Sequence, residues 1–219
     1  MIIINFEVYS QDIANELGDK YAGATLTIEE GIEKIETDAF YKVYITYLNL
    51  PKSLKYIRYN AFKNCKKLIT VTFAEEDSSL VSIYSRAFEG CTALTTIRNL
   101  EKSKLTKIES YVFADCSKLT SIKLPSTLTT ISEYAFNGNT ALTELILPIS
   151  VVTIAKNAIV NCTNLNVFTE SPEQLSGWTS GWISGYKKVY FYQETQPTTT
   201  GYWWHYDTDG VTPVIWVQE

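Results

Sequence analysis

Cys116-Ser-Lys-Leu119-Thr-Ser-Ile122-Lys-Leu124-Pro125-Ser-Thr-Leu128-Thr-Thr-Ile131-Ser-Glu-Tyr-Ala135-Phe136-Asn-Gly-Asn139 is one copy of a pattern that recurs along most of this 219-residue chain. Its clearest marker is an Ala-Phe pair: Ala39-Phe40, Ala61-Phe62, Ala87-Phe88 and Ala135-Phe136, with the variants Val112-Phe113 and Ala158-Ile159. The second members are spaced 22, 26, 25, 23 and 23 residues apart. Three residues after them come Val43, Cys65, Cys91, Cys116, Asn139 and Cys162, and five residues before them Ile35, Ile57, Ile83, Ile108, Ile131 and Ile154. Periods of this length mark a repeat architecture, in which no unit buries its own apolar face and stacking neighbours creates the core.

Between the Cys/Asn slot and the next Ala-Phe, each copy reads Leu-x-x-(Ile/Val/Leu), as in Leu68/Val71, Leu94/Ile97, Leu119/Ile122, Leu142/Leu145 and Leu165/Phe168. The run is too short for a helix and has strand-like spacing. The Ala-Phe segment follows Asp38, Asn60 or Ser85 in several copies, which predicts one helical turn on the side opposite the strand. Six such units cover residues 26–170, and at ~4.8 Å per strand they stack to roughly 29 Å.

This unit resembles the BspA-like bacterial leucine-rich repeats over about two-thirds of the chain. The resemblance implies an α/β repeat fold: a right-handed solenoid with parallel strands on one face and short helical turns opposite. It also implies a bacterial surface or secreted protein that mediates protein–protein interaction or adhesion.

A solenoid needs caps at both ends. Residues 1–25 lack the repeat; an apolar start and a short helix over Ser10–Leu17, ended by Gly18, predict an N-terminal cap. Residues 171–219 also lie outside the pattern. Ser171-Pro172-Glu173-Gln174-Leu175 predicts a short helix, and Tyr202–Tyr206 and Val214–Val217 flank Asp209-Gly210, which predicts a β-hairpin in an aromatic C-terminal cap.

Strand alternation turns Tyr47, Thr70, Thr72, Thr96, Arg98, Ser121, Lys123, Glu144 and Val167 outward on the strand-lined, concave face. We take this broad, shallow, mostly polar surface as the candidate ligand-binding face for a protein or extracellular polymer. Two copies carry insertions just after the strand, within Ala74–Ser79 and within Asn99–Lys104, and both are expected on one rim. Glu75, Glu76 and Asp77 in the first are a candidate rim site, although a solvated acidic loop is the simpler reading.

Other chemistries find little support. The four cysteines fall at the repeat period, with no Cys-x-x-Cys pair, and Asn139 fills the same slot. Cys65, Cys91, Cys116, Asn139 and Cys162 therefore read as a structural ladder of reduced thiols rather than a zinc site. A single histidine, His205, excludes a multi-histidine metal centre, and no paired acid and base, phosphate loop or metal cluster is apparent. No catalytic residue, metal or cofactor is expected. Net charge of −5 without a basic patch argues against nucleic acid. No run approaches the ~18 apolar residues of a membrane span, and Met1–Glu7 shows no basic n-region of a signal peptide. Two alternative functions stay open: a carbohydrate-binding module using the aromatic tail, and an intracellular scaffold.

Overall fold

The computed structural model describes residues 2–3, 23–184 and 188–216. The helix expected over Ser10–Leu17 lies outside them. With strands numbered in chain order, most turns of the repeat contribute one strand to a front ladder and a second, shorter one to a side ladder. The front ladder begins as β1 (Ile2–Ile3), β2 (Thr25–Thr27), β4 (Tyr47–Asn49), β6 (Thr70–Thr72) and β8 (Thr96–Arg98), all parallel. It resumes as β11 (Glu144–Leu147), β13 (Asn166–Thr169), β14 (Val189–Tyr192) and β15 (Trp203–Tyr206), to which β16 (Pro213–Ile215) pairs antiparallel. The side ladder is β3 (Lys34–Ile35), β5 (Tyr56–Ile57), β7 (Ser82–Ile83), β9 (Lys107–Ile108), β10 (Thr130–Ile131) and β12 (Thr153–Ile154). The result is a β-solenoid of about seven turns with parallel strands.

Inside the coil the repeat slots become columns. Phe40, Phe62, Phe88, Phe113 and Phe136 are fully buried and stack with centroids 5.2, 5.3, 5.8 and 5.9 Å apart, within the favourable range for offset rings. Ile35, Ile57, Ile83, Ile108, Ile131 and Ile154 form a parallel column on the side ladder. The cysteines are free and buried. Each thiol donates to the carbonyl of a phenylalanine in the preceding turn: Cys65 to Phe40 at 3.1 Å, Cys91 to Phe62 at 3.2 Å, Cys116 to Phe88 at 3.3 Å and Cys162 to Phe136 at 3.1 Å.

The helical turns expected around Ala-Phe are not helices. Among the described residues the one helical segment is a short 3-10 stretch, Leu100–Lys102. The reason is local. Residues two before and two after each Phe take the left-handed conformation, as at Asp38 and Lys42, Asn60 and Asn64, and Arg86 and Gly90. Three residues between two left-handed positions cannot propagate a helix. The Phe amides instead bond across to the next turn, Phe40 N–H to the Ala61 carbonyl at 2.8 Å and Phe62 N–H to Ala87 at 2.8 Å. Asp38 and Asn60 thus serve as left-handed turn residues, a role their short polar side chains tolerate. Ser171–Leu175 is likewise non-helical.

A seventh turn follows the six read from the sequence. Trp178 bridges Ile154 and Ile183 bridges Ile159, so Trp178 fills the Ile slot and Trp182-Ile183 the Ala-Phe slots. Both indoles are buried, and the Trp178 Nε1–H donates to the Val151 carbonyl at 3.1 Å.

Candidate functional site

The front face carries two outward rows. Strand register aligns Tyr47, Thr70 and Thr96 in one row and Asn49, Thr72 and Arg98 in the other. Past the break in the ladder, register continues the rows as Glu144 and Asn166, and as Ile146, Phe168 and Tyr190. Ser121 and Lys123, both exposed, belong to the turn between. The face therefore changes along the axis from hydroxyl and amide groups, through Arg98 and Lys123, to Glu144 and Ile146 and then to the buried rings of Phe168 and Tyr190.

One expected position is corrected. Val167 pairs with Leu145 and is completely buried, so it belongs to the core and not to the front face. Register here advances by 22 residues, which turns Phe168 outward in place of Val167. Phe168, Tyr190 and Trp204 then form a second apolar cluster on the front face, flanked by Ile146, Tyr192 and Tyr206. The Trp204 ring is fully buried there, its Nε1–H donating to the Thr169 carbonyl at 2.9 Å. Buried Trp178, Trp182 and Trp204 offer no free face for stacking on a sugar.

In place of a uniformly shallow surface, the C-terminal part of this face holds a groove of about 430 Å³. Its floor and walls come from Ser121–Leu124, from Glu144, Ile146 and Pro148, and from Glu101 in the second insertion; the turn leading into β16, Gly210–Pro213, forms the opposite wall. Ser121–Leu124 is not a strand, although turns before and after it supply β8 and β11. The Tyr206 hydroxyl donates to Glu170 Oε1 and fixes the hairpin over the groove, while Glu170 Oε2 accepts from the Ile149 amide at 3.0 Å. Burial, and then the Glu170 carboxylate, push the Tyr206 phenol well above its ordinary value. The turn is rigid in its own right: the Asp209 carboxylate accepts from the amides of Val211 and Thr212, both at 2.8 Å, and from the Thr212 hydroxyl.

Of the expected site residues, Ser121, Lys123 and Glu144 meet in this groove, and Arg98 lies next to it in the chain's preceding turn. Tyr47, Thr70, Thr72 and Thr96 sit further along the face, Tyr47 being 45% exposed. Glu144 is half-buried, and desolvation raises its carboxyl above the ordinary value. Glu101, Glu170, Tyr206 and Val211 were not reached from the sequence, because the hairpin comes to the groove only through tertiary folding. Glu75, Glu76 and Asp77 are exposed on their loop, and among the described residues no group of three or more His, Cys, Asp or Glu is placed to hold a metal ion. His205 packs against Trp216 with ring centroids 4.0 Å apart and bonds through Nδ1 to the Tyr206 carbonyl at 2.7 Å. No helix among the described residues is long and apolar enough to cross a membrane.

Comparisons with known proteins fit this geometry. Residues 21–103 match the family described as "BspA type Leucine rich repeat region (6 copies)". A leucine-rich repeat protein of T. pallidum is 27% identical, with a TM-score of 0.60 over 67% of this chain and 69% of that one. A leucine-rich repeat protein of Bacteroides ovatus is 26% identical, with a TM-score of 0.65 over 75% of this chain and 41% of that one. A leucine rich cell surface protein of Faecalibacterium prausnitzii shares the fold at 24% identity and a TM-score of 0.51, over 85% of this chain and 52% of that one. The chain thus spans about half or less of the last two. No curated protein matches it.

Proposed function

From residues 21–103, which match the BspA-type leucine-rich repeats, we infer that the chain is a non-enzymatic binding scaffold. Its role is that of a bacterial surface or secreted protein that engages a protein or extracellular polymer. The observation that carries this reading is the front face, where exposed Arg98 on β8 and exposed Lys123 in the turn between β8 and β11 border a walled groove. Broad faces of this kind bind through a few dominant side chains set in pockets. The scaffold divides into an N-terminal cap at 1–25, repeats at 26–170, and a C-terminal cap at 171–219. In the cap, the tryptophan-filled seventh turn and the β15–β16 pair shield the last apolar layer. Export to the surface is the part of this reading that rests on the resemblance to BspA-like proteins.

Surface plasmon resonance of the purified chain against a panel of matrix proteins and glycans tests the reading, run beside Arg98→Glu/Lys123→Glu with its fold checked by circular dichroism. Saturable binding to a protein that the double variant loses is the expected result. Binding to glycans alone, or to nothing, would overturn it.

A further inference from the structure

The groove has a charge pattern that the scaffold reading does not use. Among the described residues Arg98, Glu101, Lys123 and Glu144 form no ion pair. Cations and carboxylates thus lie side by side on the front face without neutralising one another. Within the groove the balance is acidic: Glu101, Glu144 and Glu170 against Lys123. Glu170 is already engaged by Tyr206 and the Ile149 amide, which leaves Glu101 on the inserted loop and Glu144 on β11; Glu144, half-buried and desolvated beside Ile122 and Ile146, is the anionic centre.

The walls narrow the guest. Ile122, Ile146, Val211 and Pro213 are aliphatic, and Tyr206 presents an aromatic ring. Val211 is 54% exposed on the hairpin turn, so apolar surface stands open beside a carboxylate. An anion would meet three carboxylates, and a sugar would find one ring and aliphatic walls. Covering Glu144 without a counter-charge would leave a buried, unpaired ion, which is costly. A guest with an apolar stem and a cationic head satisfies both the walls and the floor. Arginine suits this better than lysine: its guanidinium is weakly hydrated, stacks on aromatic faces and forks onto a carboxylate.

Resting on the scaffold reading, we propose that the groove seats an arginine side chain of a protein partner lying along the front face. Glu144 is its counter-charge, and Arg98 and Lys123 receive a carboxylate of the same partner. The groove then orients the partner, because only one direction places its basic residue over Glu144 and its acidic residue over Arg98 and Lys123.

The test uses the peptide acetyl-Gly-Leu-Arg-Leu-Gly-amide and its counterpart with citrulline, a neutral group of the same shape, followed by amide chemical shifts. Saturable shifts at Ser121, Ile122, Glu144 and Thr212 are expected with the arginine peptide. Glu144→Gln should weaken that binding about tenfold or more, and the citrulline peptide should not saturate. Equal binding of the two peptides, an unchanged affinity in Glu144→Gln, or no saturable shift at millimolar peptide would each overturn the proposal. The protein panel separates this from the parent reading. Partner binding lost in Arg98→Glu/Lys123→Glu but untouched in Glu144→Gln would reject the groove while leaving the scaffold standing. Peptide binding with a silent panel would uphold the groove and reject the adhesive role.

Discussion

Asn139 is the one member of the ladder that is not a thiol, and it carries a defect. Its Nδ2 donates to the carbonyls of Phe113 at 2.9 Å and Phe136 at 2.8 Å, but its Oδ1 is buried without a hydrogen-bond partner. An orphaned buried acceptor costs ~1–3 kcal/mol, more than the ~1 kcal/mol of one lost amide bond. Asn139→Cys should therefore stabilise the chain by about 1 kcal/mol, read as a rise in Tm of ~2–4 °C by calorimetry. The added thiol should be as unreactive as its neighbour Cys116, which burial pushes up to about 12. Glu144 offers a second test at this scale. Its folded-state pKa lies above the ordinary 4.5 because burial disfavours the charge. Above the raised value the carboxylate destabilises the fold; below 4.5 both states are protonated and the penalty disappears. Glu144→Gln should thus stabilise the fold slightly at pH 7, by about 1 kcal/mol or less given the solvent exposure, read as a small rise in Tm. Its advantage over the parent should close as pH falls through the raised pKa towards 4.5.

At the scale of elements, the seventh turn shows what a repeat sequence reveals and what it hides. The columns of Ile, Ala-Phe and Cys were legible because Ile fills its slot six times, Ala and Phe five times each and Cys four times. The seventh turn has Trp178 for Ile, Trp182 for Ala and Ile183 for Phe, so the same geometry is written in different letters. Val167 escaped for a related reason. Leu165 and Phe168 keep the Leu-x-x-apolar text, yet pairing with β11 sets the register one residue away from it, and a one-residue slip inverts every side chain. The expected helical turns failed where Asn60 and Asn64 entered the left-handed region. Of the groove, Ser121, Lys123 and Glu144 were legible from strand alternation, but its hairpin wall was not, since Tyr206 and Glu170 meet across 36 residues of chain. The seventh turn also depends on a close approach. A Cβ on Gly177 would sit 2.2 Å from the Val152 carbonyl oxygen, a backbone atom that the side ladder holds in place. Gly177→Ala should cost ~1–3 kcal/mol, as overpacking does. The measurement is a lower urea midpoint at unchanged m.

For the molecule as a whole, stability passes from turn to turn, because each repeat touches only its neighbours. The front ladder stops at Thr96–Arg98 and resumes at Glu144–Leu147, so strand pairing on that face does not join the two halves. Across the break, continuity rests on the side ladder, where β9 and β10 pair, on the amides of Phe113 and Asp115 donating to the Ala135 and Asn137 carbonyls at 3.0 and 2.7 Å, and on the contact between Phe113 and Phe136. That contact is the loosest of the Phe column, at 5.9 Å and 17° against 5.2 Å and 5° at the N-terminal end. Removing the Phe113 ring should cost ~3–5 kcal/mol at the place where coupling is thinnest. The chain carries its own pair of probes for this. All five tryptophans lie between Trp178 and Trp216, so their fluorescence reports the C-terminal turns alone, whereas far-ultraviolet circular dichroism reports every strand. In the parent protein the two urea transitions should coincide, as they do for a single cooperative unit. In Phe113→Ala the dichroism transition should broaden and separate from the fluorescence transition, leaving the C-terminal turns to unfold on their own. Coincident transitions in the variant would show instead that main-chain hydrogen bonding between the turns carries the coupling, and that the break in the front ladder bears on the groove and not on cooperativity.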